Sequence, residues 1–189
     1  MLTILKDAPG VTIHEFPEPA RPRTIHAKVP RITPPQQLYQ RPGFLLRRAH
    51  QLASGIFEDE ASALDLTPAQ FGVLTLLHSR PAIDQTTLAR ALGFDKVTTL
   101  RVLRVLEARG LLERLPARDN RRKLAIHLTM AGGELLGSAQ KVAERAIRRL
   151  LAPLDAAQQA QLLHLLQVLT SGLEHEARAP WVRLDQTDA

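Results

Sequence analysis

Apolar residues recur along most of this chain with the period of a helix and change to a period of two in one place only. From Pro42, a favoured first helical residue, Leu45, Ala49, Leu52 and Ile56 form a stripe that predicts a helix to about Asp59. Thr67-Pro68-Ala69-Gln70 is a cap followed by a helix start. The helix it opens carries Phe71, Val73, Leu74, Leu76 and Leu77 to about His78 and stops near Pro81. Two short helices follow, broken at Gly93. The first has Leu88, Ala89 and Leu92 on one face with Asp84 as its N-cap, and the second repeats Leu100, Leu103 and Leu106 behind Asp95. Amphipathic helices joined by a turn containing Gly make a helix-turn-helix. The period then shortens. LLERL alternates weakly and KLAIHL cleanly, with Leu124, Ile126 and Leu128 on one side, and the turn PARDNRR joins them into a β-hairpin. Thr129 caps a long helix to about Leu151, whose apolar side runs from Leu135 and Leu136 to Ile147 and Leu150. Pro153 ends it, and Asp155 with Gln158 opens a last helix. Six leucines in that helix (162, 163, 165, 166, 169 and 173) are too broad an apolar surface for one helix on a small domain, and a second subunit is the natural cover.

The ends of the chain read differently. Residues 1–41 hold Pro9, Pro17, Pro19, Pro22, Pro30, Pro34 and Pro35, so no long helix fits there, and a short strand over Val11–Phe16 is the one element suggested. Either a tail in solvent or an arm laid across a partner subunit through Ile25, Val29, Ile32 and Leu38 fits this composition. The final stretch, 177–189, holds the sole tryptophan, Trp181, without a pattern that assigns it a role. The expected organisation is therefore an arm (1–41), a helical dimerisation region (42–66 and 129–176), a helix-turn-helix domain with its hairpin (67–128) and a tail (177–189).

Composition changes this picture in two respects. Leu and Ala dominate the apolar residues and aromatics are only 4 %, which favours a mainly α fold with a small β-wing. The net charge of +6 suits a polyanion, although charge alone is a weak signal. The absence of cysteine excludes disulfides, thiolate–zinc sites and thiol-based sensing. No apolar run is long enough to span a bilayer and none resembles a secretory signal, so a cytoplasmic location is expected.

The candidate chemistry is recognition of DNA. Lys96, Thr98, Thr99 and Arg101 lie off the apolar stripe near the start of the second short helix, where hydroxyl and basic donors suit base edges in the major groove. Arg104, and Gln85, Thr86 and Thr87 at the start of the preceding helix, are expected to meet phosphates. Six basic residues from Arg109 to Lys123 face only Glu113 and Asp119, and the tip residues Arg121, Arg122 and Lys123 suit the negative potential of a minor groove. There is no HExxH, no phosphate-cradling glycine loop and no serine elbow, and the seven histidines lack ligand spacing. Neither an enzyme nor a metal or cofactor site is expected.

LTPAQFGVL, LARALGFDKVTTLRVLRVLEARGLLER and DNRRKLAIHLTMAG, in that order, resemble the MarR transcriptional regulators over about residues 42–176. The resemblance implies a winged helix-turn-helix homodimer on a palindromic operator. Its dimerisation helices would be the one from Pro42, the one after Thr129 and the last. One departure is that the wing position where the family usually has Asp holds Asn120. The resemblance also implies a small, often aromatic and anionic effector between the dimerisation helices and the winged lobe. Arg47, Arg48 and His50 are the candidate carboxylate partners, with Phe71 and Leu74 as an apolar wall. Regulators of aromatic-acid breakdown within the family are the subgroup this stretch resembles. The rival is an architectural, effector-independent DNA binder, and interlobe or intersubunit salt bridges are the plainer role for Arg47 and Arg48.

Overall fold

The structure, a computed structural model, describes residues 35–117 and 124–184. The chain divides into two compact units, residues 1–39 and 40–189. In the first, the described element is a five-residue helix, α1 (Pro35–Tyr39). The strand expected over Val11–Phe16 lies outside the described residues.

In the second unit, α2 (Pro42–Glu60) begins on a proline, and a 3-10 turn over Ser62–Leu64 leads to α3 (Pro68–Ser79). The start of α3 is closed by a reciprocal cap. Gln70 N donates to Thr67 Oγ1 at 3.3 Å, and Thr67 N donates to Gln70 Oε1 at 2.9 Å. A strand of two residues, β1 (Ile83–Asp84), precedes α4 (Gln85–Leu92) and α5 (Lys96–Ala108). The hairpin β2 (Leu112–Pro116) and β3 (Leu124–Leu128) follows, then α6 (Met130–Leu151) and α7 (Ala156–Gly172). A second 3-10 turn, Glu174–Glu176, leads into an extended tail.

The sheet has the antiparallel order β1-β3-β2, with Leu112 opposite Leu128 and Ile83 opposite Ile126. β1 was not expected from the sequence, because two residues carry no periodicity and Asp84 also serves as the cap of α4. Leu124 stays exposed while Ala125 and Ile126 are both buried, since the central strand is covered on two sides at its middle.

The core gathers Leu74 and Leu77 of α3, Leu88 of α4, Leu103 and Leu106 of α5, Leu112, Ile126, and Leu136 of α6, each at most 2 % exposed. α6 enters this core through a close approach. A Cβ added to Gly132 would lie 2.1 Å from the Leu111 carbonyl oxygen, so nothing larger than glycine fits unless the backbone moves. Thr129 secures the same junction, accepting from Gly132 N at 3.1 Å and donating to Gly110 O at 2.7 Å.

The long helices hold together differently. α2 and α6 are joined by Arg145–Glu60 at 3.0 Å and by Arg149, which pairs with Asp59 and Glu60. Phe57 is the buried residue of α2, while Leu45 and Leu52 of the apolar stripe are 52 % and 45 % exposed, as is Leu46 beside them at 42 %. α7 buries none of its residues. Among the described residues, no helix is long and apolar enough to cross a membrane.

Candidate DNA interface and effector cleft

The reading helix α5 starts at Asp95, whose carboxylate accepts from Thr98 N at 2.7 Å. That backbone bond, helped by the Thr98 hydroxyl and the nearby Arg101 charge, holds the Asp95 carboxyl below the usual aspartate value. Lys96, Arg101 and Arg104 are exposed and Thr98 is half-buried. Thr99 corrects the sequence expectation. It is 1 % exposed, and its hydroxyl donates to the Asp95 carbonyl at 2.7 Å, so it stabilises the first turn and does not face a groove.

At the start of α4, Asp84 accepts from Thr86 N at 2.9 Å and from Thr87 N at 3.1 Å. The Thr87 hydroxyl donates to the same carboxylate at 2.6 Å, so the proton expected to meet a phosphate is already committed. Gln85 is half-buried and Thr86 exposed beside it.

The hairpin follows α5 in the chain, and its strands β2 and β3 form two of the sheet's three strands. Its tip, with Arg121, Arg122 and Lys123, lies outside the described residues. Two of the six basic residues assigned to this region have structural roles. Arg109 donates to the Leu64 carbonyl at 2.9 Å and to that of Asp65, and Arg114 pairs with Glu107 at 2.7 Å. Sequence counting credited both to the wing because it cannot see which carbonyl or carboxylate a basic side chain will meet.

A second feature lies where α2, α3 and α6 meet. A cleft of about 280 Å³ is walled by His50, Ser54 and Phe57 of α2, Phe71 of α3, and Ala143, Ala146, Ile147 and Leu150 of α6. Phe57 and Phe71 pack in a tilted pair with centroids 5.5 Å apart. His50 and Phe71 were expected at such a site. Leu74 and Arg48 are corrections, and Arg47 is not among the residues that wall the cleft. Leu74 is fully buried in the core. Arg47 lies along α2, over the Phe44 ring at 5.1 Å and donating to Gln51 at 3.3 Å. Arg48 follows His50 backwards by two residues, about 200° around the helix, and so faces away from the cleft. The α6 wall was missed because a stripe that packs and a stripe that lines a cleft have the same period.

A shallower groove of about 520 Å³ on another side of α6, between Glu60, Glu134, Lys141 and Arg145, carries both signs of charge. Its Arg145 already pairs with Glu60. Among the described residues no group of His, Asp and Glu is arranged to hold a metal ion.

Residues 66–124 match the family model described as the MarR family. The chain is similar to the homoprotocatechuate degradative operon repressor of Escherichia coli, 31 % identical over 122 residues that cover 65 % of this chain and 82 % of that protein. The chain belongs to the MarR family. It is also similar to the transcriptional repressor NicR of Pseudomonas putida, 28 % identical over 153 residues, 81 % of this chain and 97 % of that one. Among solved structures it resembles Bordetella bronchiseptica BpsR, whose DNA binding is regulated by 6-hydroxynicotinic acid. The TM-score is 0.66 at 30 % identity, over 70 % of this chain and 94 % of that one. The MarR chain described here is thus a DNA-binding transcriptional regulator and not an enzyme, and its helices and sheet are those of a winged helix-turn-helix with a helical dimerisation domain.

Proposed function

We propose that the chain is a homodimeric repressor that reads a palindromic operator and is released from it by a small aromatic carboxylate. The observation that carries the effector half of this reading is the cleft bounded by α2, α3 and α6, because it touches both the long helices and the winged lobe. Its aromatic and aliphatic walls suit a ring. His50 and Ser54, one turn apart on α2, supply polar groups at its edge, and Arg47 sits one turn before His50 on the same side. A volume of about 280 Å³ lies at the small end of ligand sites and favours a single ring over a larger compound. The names of the Escherichia coli and Bordetella relatives, which refer to a homoprotocatechuate degradative operon and to 6-hydroxynicotinic acid, support the same chemical class.

The DNA half rests on α5, with Lys96, Thr98 and Arg101 toward base edges and Arg104, Gln85 and Thr86 toward phosphates, and on Arg121, Arg122 and Lys123 at the wing. Two copies related by a dyad place their α5 helices about one helical turn apart on the duplex. The cover for α7 and for the exposed leucines of α2 is the second copy. An effector that fits one spacing of the reading lobes better than another shifts the population toward it, and DNA affinity changes by the same coupling factor.

The test is a thermal-shift panel of benzoic, phenylacetic and pyridine carboxylates, followed by operator release in a gel-shift assay. Stabilisation of the wild type by one member, lost in Phe71→Ala and weakened in His50→Ala and Arg47→Ala, is the expected outcome. A panel without effect on either readout leaves the effector-independent DNA binder as the surviving reading.

A further inference from the structure

The outward face of α5 is centred on a side chain that has no hydrogen-bonding group. At 100° per residue, Val97, Arg101, Arg104 and Ala108 fall within about 60° of one another, and all four are exposed. Lys96 and Thr98 lie about 100° to either side of Val97, and Thr99, on the opposite side, is buried. Val97 is 76 % exposed, against 42 % for Val105 on the same helix. An isolated exposed valine is ordinary on a protein surface. This one stands at the apex of the N-terminal turn of the reading helix, the part of such helices that meets base edges. Nothing local calls for it, since a β-branched residue is a mediocre helix former and Val97 fills no core space.

In a major groove an isopropyl group can neither donate nor accept. Opposite guanine, adenine or cytosine it would strip water from polar edge atoms and replace no bond. The one apolar group displayed there is the 5-methyl of thymine. We propose that Val97 is a specificity-determining residue, selecting a thymine in each half-site by packing on its 5-methyl group. The inference rests on α5 being the major-groove reader and adds the base that its central residue selects. It also assigns the neighbouring cations different work. Arg101 and Arg104 flank an apolar contact, so the contribution of Val97 is independent of salt while theirs is not.

The experiment uses the full-length protein and a duplex selected by it from a random library, with each thymine in turn replaced by deoxyuridine, a change that removes only the methyl group. In the wild type, one position per half-site loses about four-fold in affinity on this replacement, the equivalent of about 0.8 kcal/mol for one buried methyl. Replacing both half-sites together loses about fifteen-fold. In Val97→Ser, which alters an exposed side chain and leaves the melting curve in place, the starting affinity is lower and the same replacement changes it less than two-fold. The salt dependence is the same for both proteins. A wild type indifferent to every deoxyuridine, or a Val97→Ser protein with the wild-type deoxyuridine profile, overturns the inference while leaving DNA reading intact. Failure to select any duplex overturns both.

Discussion

Val97 and Thr99 are nearly the same size and sit two positions apart, yet the polar one is buried and the apolar one faces solvent. The Thr99 hydroxyl is tolerated inside because the Asp95 carbonyl accepts from it within the same turn. Asp95 itself is a case where the charge state matters. Its folded carboxyl is held below the ordinary aspartate value, so the cap strengthens the fold above that value and its contribution is lost as pH falls through the depressed folded one. Asp95→Ala is therefore less stable than the wild type at neutral pH, and the gap in urea midpoints closes under strong acid. A gap that persists unchanged at pH 2 rules out this role. At Gly132 the constraint is steric. Gly132→Ala places a Cβ against the Leu111 carbonyl and lowers stability by about 1–3 kcal/mol in urea titrations. Gly133→Ala next to it meets open space in a helix and is neutral or stabilising. The caps at Thr67, Asp84, Asp95, Thr129 and Asp155 were legible because capping is a local bond between a side chain and a backbone group a few residues away. The need for glycine at 132, and the burial of Thr99, were not, because both depend on what another segment brings near.

At the scale of elements, the tail after α7 is the segment that the sequence left without a role. It returns to the helix-turn-helix. The Trp181 indole donates to the Ala91 carbonyl at 2.9 Å, Val182 N donates to the Arg90 carbonyl at 2.9 Å, and Glu174 accepts from Trp181 N. Leu184 packs against the core beyond them. The last turn of α4 has carbonyls without partners inside the helix, and the tail supplies donors to two of them. The indole also passes over the Gly93 turn that leads into α5, its Cδ1 3.9 Å from where a Cβ of residue 93 would stand. Trp181→Ala loses about 1 kcal/mol from the indole bond. Because Trp181 is the sole tryptophan, its fluorescence reports on this strap alone. With few buried contacts to hold it, the emission shifts to the red at lower urea than the loss of helical circular dichroism. Coincident transitions by the two probes contradict a separately opening strap. Helix periodicity told nothing of this segment, since an extended tail that docks by backbone bonds leaves no pattern in its side chains. β1 escaped notice for the same reason.

At the scale of the whole molecule, the single chain leaves a broad apolar surface uncovered on α2 and α7. Leu163 and Leu166 of α7 are 59 % and 37 % exposed, so replacing them costs one protomer little. In the proposed dimer a glutamate there is buried without a partner. Leu163→Glu with Leu166→Glu is expected to shift the mass by light scattering from dimer to monomer, to keep the helical circular dichroism, and to weaken operator binding at least ten-fold. A double variant that stays dimeric places the interface elsewhere. The sequence by itself determined the order of helices, the hairpin, the caps and the surplus of apolar surface on the last helix. Each of these follows from periodicity or from bonds spanning three or four residues. The tertiary structure alone decided which hydroxyl is buried, which arginines serve the fold, which residues wall the cleft and where the tail docks. Those outcomes depend on contacts between segments as much as ninety-two residues apart, and one periodic stripe is compatible with packing, lining or recognition until its neighbours are in place.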